Sequence, residues 1–196
     1  MSVRFHTMPA EHVVTSEQIP VDYLRTVLRR LVSGVTVLTT EQDGRPWGMT
    51  VSAFTPVSLD PPLALVCVNR STASARHIVD QRRLGINILA AGQSEISGRC
   101  AAPGTPKFLP PDDLADWMPG WATPRIGGAL VSFDTTVEAL HEAGTHLVAI
   151  VRIDNIAAAP AGEPLLYGDG RYLDVSSISN ASRRTAPPHI NQEQPT

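Results

Sequence analysis

The sequence predicts a mainly β domain, an antiparallel barrel with helices at its periphery. About seven short stretches have the β-branched or alternating apolar composition of strands, and few stretches have helical spacing. Turn signals such as Asp43-Gly44 connect neighbouring strands as hairpins. With 196 residues the chain is long enough for one domain with a sizeable core. The strand pattern alone does not distinguish a barrel from a sandwich.

The first half of the chain alternates between helical and extended patterns. Apolar residues recur at helical spacing from Val21 to Val32, and Gly34 stands where such a helix would end. The small and hydroxyl-rich strand 47–54 leads through a proline-stiffened crossover to an apolar, hence buried, strand. The elements predicted here are a helix over 21–32, strands over 35–40, 47–54 and 63–68, and a helix from 71 to 79.

The second half is again mostly extended. The elements predicted here are a strand over 84–89, a helix over 93–101, and strands over 129–138, 146–153, 164–167 and 171–173. Residues 103–124 hold six prolines together with Trp117 and Trp121, which indicates an ordered loop packed over another part of the protein. Its tryptophans are expected to serve core or interface packing, with a cover over a ligand as the alternative.

The domain prediction is a single folded unit over residues 18–175. Residues 1–17 carry mixed polarity without periodicity and are predicted to form an N-terminal arm. The polar, proline-bearing segment 176–196 is predicted to be a disordered C-terminal tail.

Bulk composition argues against several classes of protein. The formal net charge is −3 and no cluster of lysine and arginine occurs, so nucleic-acid binding lacks its usual electrostatic basis. No apolar run approaches the roughly 18 residues of a membrane span, and no signal peptide opens the chain. The two cysteines do not indicate a disulfide framework. A cytoplasmic protein that binds neither nucleic acid nor membrane is predicted.

The region from 47 to 75 has the composition of a ligand site. The small and hydroxyl side chains of strand 47–54 would let a planar ligand approach the backbone. The buried strand ends at Asn69, and residues 71–74 then open a helix whose first N–H groups could hold a phosphate. A Gly-x-Gly-x-x-Gly fingerprint is absent, which argues against a Rossmann cofactor site.

Three blocks of this region, residues 48–53, 58–62 and 68–74, resemble the flavin reductase-like family. The resemblance extends from about Val21 to about Val175. It implies the FMN-binding split barrel and a homodimer with flavin sites near the interface. It also implies an NAD(P)H:flavin oxidoreductase that moves a hydride from NADH or NADPH to FMN or FAD. Reduced flavin would then pass to a partner flavin-dependent monooxygenase.

The resemblance also implies which residues contact the flavin. Residues 50–53 would contact the ring and ribityl chain, while Asn69 and its neighbours would serve the phosphate end, with Arg70 and Arg99 as charge partners. Without the resemblance, the simpler interpretation is that Ser71 caps a helix and both arginines are solvated. The complete predicted flavin-binding set is Ser33, Gly34, Gly48, Met49, Thr50, Val51, Ser52, Ala53, Cys67, Val68, Asn69, Arg70, Ser71, Ser74, Arg99, Cys100 and Ala101. Tyr172 is a further candidate for lining the pocket.

The family motif Gly-Asp-His reads Gly144-Thr145-His146 in this chain. The resemblance implies that this histidine lies beside the flavin and seats the nicotinamide, so His146 is the predicted catalytic residue. Thr145 replaces the acid, and Val151 replaces a glycine of the same strand. These differences motivate an alternative, a flavin-binding protein that has lost reductase activity and serves another catalytic, ligand-binding or partner-binding role. His141 lacks a third ligand at suitable spacing, so no metal site is predicted.

Overall fold

The computed structural model describes residues 19–173 and 175. The arm predicted over 1–17 and the tail predicted over 176–196 lie outside these residues. The described helices are α1 (Val21–Leu28), α2 (Ala73–Gln81) and α3 (Ser94–Ala101), with a 3₁₀ turn at Pro111–Asp113. The described strands are β1 (Ser33–Gly34), β2 (Thr36–Gln42), β3 (Arg45–Val51), β4 (Phe54–Leu59), β5 (Pro62–Asn69), β6 (Arg83–Ile88), β7 (Val131–Ala143), β8 (His146–Ala158), β9 (Leu166–Gly168) and β10 (Arg171–Leu173).

Seven strands form one antiparallel sheet in the order β3-β2-β6-β7-β8-β5-β4. Its two edge strands, β3 and β4, are consecutive in the chain, so the sheet curls back towards its own beginning. Side chains of all seven strands meet in one core with Ile78 of α2; Leu38, Val66 and Val151 are among the most deeply buried. A single interior shared by every strand is the arrangement of a barrel, which confirms the predicted mainly β fold.

A smaller sheet and a second core stand outside the barrel. The small sheet has the order β1-β9-β10 and pairs Ser33 with Tyr167. Strand β2 is buried on both faces, because Leu38 points into the barrel while Val37 packs in the second core with Leu109 and Ile126. Helix α3 and the long loop cover this outer face. This arrangement places α3 beside the end of β3.

Two predicted boundaries were wrong. Helix α1 ends at Leu28 instead of Val32, because the chain must straighten for Ser33 to pair with β9. The supposed crossover after residue 54 is strand β4, which pairs with β5 and has a register shift after Pro56. Proline is tolerated there because β4 is an edge strand and its outer N–H groups need no partner.

The loop after α3 is ordered and held to the barrel by buried polar groups, as the sequence predicts. The carboxylate of Asp134 is fully buried and accepts hydrogen bonds from Ala122 N at 3.1 Å and Thr123 Oγ1 at 2.9 Å. Trp121 is 8% exposed and serves packing, whereas Trp117 is 76% exposed. Within the described residues, no helix has the length and apolarity needed to cross a membrane.

Candidate active site

An inner cavity of about 260 Å³ lies between the end of β3, helix α3 and the β9–β10 hairpin. Four separate parts of the chain supply its walls, and tertiary folding alone brings them together. The residues that line the inner cavity are Val35, Thr50, Val51, Ser52, Ser97, Ala101, Tyr167 and Tyr172.

Hydrogen bonds to Ser97 fix the walls of the inner cavity. Thr50 Oγ1 donates to the carbonyl oxygen of Ser97 at 2.7 Å and ties β3 to α3. Tyr172 donates through its hydroxyl to Ser97 Oγ at 2.8 Å. The rings of Tyr167 and Tyr172 pack edge to face with centroids 5.4 Å apart. The inner cavity therefore has a rigid aromatic wall opposite a strand that carries hydroxyl groups.

An outer cleft of about 560 Å³ adjoins the inner cavity and shares Ser52 and Tyr167 with it. Helix α1 forms its far side, with Leu24 and Leu28 facing the β3–β4 connection at Ala53. The volume lies within the roughly 300–1,000 Å³ that is typical of small-molecule sites. Together the two spaces suit an elongated ligand with one flat aromatic part.

The end of β5 lies next to this connection. Cys67 N donates to the carbonyl oxygen of Ala53 at 3.1 Å, and Asn69 ends the strand two residues further on. Asn69 Oδ1 accepts from Ser71 N at 2.9 Å and from Ser71 Oγ at 2.8 Å. The cap of α2 is Thr72, whose Oγ1 accepts from Ala75 N at 3.2 Å, so the interpretation of Ser71 as the helix cap was wrong.

The first turn of α2 offers backbone donors. The N–H groups of Ala73 and Ser74 find no acceptor in the described part of the chain. First-turn N–H groups lack an intrahelical partner and attract anions. Ser74 is 2% exposed as a whole residue, whereas Ala73 is half-buried. Ala73 N is therefore the more accessible of the two donors.

Both arginines expected at a phosphate are already paired with carboxylates. Arg70 forms an ion pair with Glu142 near the end of β7, and Arg99 forms one with Asp113 of the long loop. Each arginine side chain is about half exposed. Both arginines are therefore partly solvated, and each also has a carboxylate partner.

The predicted catalytic histidine begins β8. His146 lies opposite Asn69 in the β5–β8 pairing and is exposed. Its Nδ1 is 2.9 Å from Thr145 Oγ1. Arg70 N donates to the carbonyl oxygen of Thr145 at 3.0 Å. The structure thus places His146 beside the turn that leads into α2.

Several predicted site residues face away from the two spaces. Met49 and Val68 direct their side chains into the barrel core, so they can offer a ligand only backbone atoms, whereas Val51 packs in the same core and also lines the inner cavity. The prediction that Gly48 lets a ligand approach is corrected. A Cβ at Gly48 would lie 2.5 Å from Cys100 Sγ, so its missing side chain makes room for α3.

Cys100, another predicted site residue, is buried in the second core. Burial raises the pKa of its thiol to about 11. The group is therefore a neutral, apolar packing residue at neutral pH. Of the α3 residues predicted at the flavin, Ala101 lines the inner cavity, while Arg99 faces solvent and the long loop.

Sequence reasoning missed Ser97, Tyr167 and Val35. Ser97 and Ala101 are four positions apart on α3, and helical spacing could have shown that they share a face. No local signal marks Tyr167, because its place depends on β9 pairing with β1. Three His, Cys, Asp or Glu side chains do not converge on a metal-sized site anywhere in residues 19–173 and 175.

The donor set fits a flavin nucleotide. The wall of Tyr167 and Tyr172 matches a flat ring, the hydroxyls of Thr50 and Ser52 match its polar edge and a polyol chain, and the start of α2 matches a phosphate. An antiparallel split barrel with such a cleft defines a class of proteins that bind a nucleotide cofactor.

The family model described as flavin reductase like domain matches residues 28–176. The chain therefore belongs to the flavin reductase-like family, as the sequence blocks predict.

Relatives with assigned names cover nearly the whole chain. HsaB, the reductase subunit of a flavin-dependent monooxygenase of Mycobacterium tuberculosis, is 32% identical over 89% of this chain and 90% of its own. An NADH-dependent FAD reductase of Streptomyces globisporus is 31% identical over 89% and 95%. A solved structure of the NADH:FAD oxidoreductase of Streptomyces globisporus superposes with a TM-score of 0.72 at 30% identity, covering 85% of this chain and 98% of that one.

Proposed function

We propose that the protein is an NAD(P)H-dependent flavin reductase that moves a hydride from reduced nicotinamide to FMN or FAD. Family membership, combined with an aromatic-walled cavity of fitting chemistry, carries this proposal. The named relatives include reductase components of two-component monooxygenases, and one of them is similar over 89% of the chain. Reduced flavin is therefore proposed to pass to a partner monooxygenase.

The flavin, when bound, supplies the electron-accepting chemistry, so the protein needs neither a nucleophile nor a metal. Tyr167 and Tyr172 provide an aromatic wall, and Thr50 and Ser52 provide polar contacts at the cavity edge. The main contribution of the protein to the rate of hydride transfer is to hold the flavin and nicotinamide rings against each other. The hydrogen bonds to Ser97 keep this wall in place before ligand arrives.

The phosphate end of the flavin is proposed to lie at the turn from Asn69 to Ser74. The N–H groups of Ala73 and Ser74, which have no acceptor among the described residues, support this, together with the positive end of the α2 dipole. Arg70 stands at the start of the same turn and can add a charge. His146, opposite Asn69, is proposed to seat the nicotinamide.

A homodimer is part of the proposal. Helix α1 is amphipathic yet has no buried residue, and Val21 and Leu31 are 70% and 73% exposed. A contiguous apolar face of this kind marks an interaction surface, and closed two-fold dimers are the commonest assembly. Sedimentation velocity should give the mass of two chains. Leu28→Asp should shift the protein towards the mass of one chain. An unaltered protein with the mass of one chain at micromolar concentration would contradict the proposed homodimer.

A cytoplasmic location also belongs to the proposal. Cys67 and Cys100 are both free thiols, as expected in a reducing compartment. Such a compartment would also suit an enzyme that consumes reduced nicotinamide.

Anaerobic stopped-flow absorbance tests the function directly. Protein mixed with FMN or FAD should bleach the oxidised-flavin band after addition of NADH or NADPH, well above the rate without protein. The faster donor names the nicotinamide specificity. Flavin that binds but stays oxidised with both donors would contradict the proposal.

A further inference from the structure

The Arg70–Glu142 ion pair spans two elements of the proposed flavin site. Arg70 stands between the end of β5 and the N-cap of α2, and Glu142 is the second-last residue of β7. The backbone of Arg70 is held independently, because its N–H donates to Thr145 O. The guanidinium can therefore change partner without moving the chain that carries it.

Both members of the pair are accessible to a ligand. The side chain of Arg70 is 47% exposed and that of Glu142 is 71% exposed. Ion pairs with this exposure are weak, contributing between about 0 and 1 kcal/mol. An incoming anion with more negative charge can therefore replace Glu142 at Arg70.

Charges around Arg70 nearly cancel. A lateral cleft of about 280 Å³ between α2 and the β7–β8 hairpin is lined by Arg70 and Arg76, and by Asp80 and Glu142. The formal charges of these two positive and two negative side chains sum to zero. Removing the Glu142 charge would leave the lateral cleft with a net positive charge.

We propose that Glu142 competes with the flavin phosphate for Arg70, and that it thereby selectively weakens the binding of phosphorylated flavin. This inference rests on the proposed function, since it takes the flavin phosphate to bind beside α2. Weaker binding lets the flavin dissociate readily. A reductase that passes reduced flavin to another protein requires such dissociation. Riboflavin has no phosphate, so Glu142 does not affect the affinity for riboflavin.

Glu138 offers a matched control. It lies on the same strand, pairs with Arg152, and the two side chains are 43% and 45% exposed. Glu138→Gln changes the net charge of the protein as Glu142→Gln does, but it leaves Arg70 paired. Any general attraction of FMN to a less negative protein therefore appears equally in both variants.

The test is a titration of each protein with FMN and with riboflavin, followed by quenching of flavin fluorescence. Glu142→Gln should bind FMN about two- to fivefold more tightly, in proportion to the strength of exposed ion pairs, with riboflavin unchanged. The gain should shrink in high salt, because exposed charges are screened. Glu138→Gln should change neither affinity, and Glu142→Gln should have no effect in an Arg70→Gln background.

Three results for Glu142→Gln would overturn this inference but not the proposed function. They are equal shifts in the affinities for FMN and riboflavin, an unchanged FMN affinity, and weaker FMN binding. Reductase activity of the unaltered protein would then still stand. A wild-type protein that binds neither flavin would overturn the proposed function, and this inference with it.

Discussion

Thr145 Oγ1 lies 2.9 Å from Nδ1 of His146, at the sequence position where the family motif has an acid. A hydroxyl can orient the imidazole ring as a carboxylate would, although it brings no charge. The imidazole ring of His146 is held by the adjacent residue, Thr145. The backbone of Thr145 is in turn fixed, because its carbonyl oxygen accepts a hydrogen bond from Arg70 N. The departure from the family motif therefore retains a partner for the histidine.

His146→Ala should slow hydride transfer by about tenfold or more, in the range assigned to positioning groups, without changing flavin affinity. Single-turnover bleaching of bound flavin measures the first quantity, and fluorescence titration measures the second. His141→Ala is the matched control, since it removes another exposed histidine from the paired strand β7. Parallel loss of flavin binding and transfer would mean that His146 has a structural role.

Gly48→Ala should lower the free energy of unfolding by about 1–3 kcal/mol, as overpacking does. The added methyl would lie 2.5 Å from Cys100 Sγ and 3.2 Å from Leu109 Cδ2. Adding Cys100→Ala should recover part of the loss. Gly98→Ala on α3 meets open space and should stabilise by up to about 1 kcal/mol. Urea unfolding compares the three, and a stable Gly48→Ala protein would show that α3 can move away.

The buried thiol of Cys100 should make stability depend on alkaline pH. The folded protein keeps the proton up to about pH 11, while an exposed thiol loses it near pH 9.0. The contribution to stability is therefore complete below pH 9 and lost as pH rises to 11, by about 2 kcal/mol. Cys100→Ala should remove this part of the slope in urea unfolding at stepped pH. An identical slope in both proteins would contradict the burial of the thiol.

Tyr172→Phe should lower the free energy of unfolding by about 0.5–1.5 kcal/mol, because Ser97 Oγ loses its donor. Flavin affinity should fall with it, since the aromatic wall loses its anchor. Tyr167→Phe keeps the ring pair and should change stability by less than about 0.5 kcal/mol. Thermal unfolding and FMN titration of both variants provide the comparison, and equal effects would show that the hydroxyl of Tyr172 is not an anchor.

Elements determined by local signals were predictable from the sequence. Asp43 and Gly44 both have positive φ, and they close the β2–β3 hairpin at the predicted turn. Helix α3 and strand β6 likewise fall within about two residues of their predicted bounds. The residues that determine each of these elements lie within the element itself.

The features that sequence reasoning missed depend on partners far away in the chain. Helix α1 ends early because Ser33 pairs with Tyr167, and no residue near Leu28 signals that pairing. The partner of Arg70 is Glu142, which only the register of β7 against β8 brings near. The segments that line the inner cavity could therefore be predicted in part, as residues 50–52 and Ala101 were, but the cavity with its defined walls and charges could not.

Because β1 pairs with β9, the inner cavity joins the beginning of the domain to its end. A ribosome that has made everything up to β8 has produced the barrel strands, yet the aromatic wall with Tyr167 and Tyr172 is still missing. The walls of the inner cavity are therefore complete only after β9 and β10 have been synthesised. A chain shortened by degradation before β9 would lack Tyr167 and Tyr172, and with them the aromatic wall of the inner cavity.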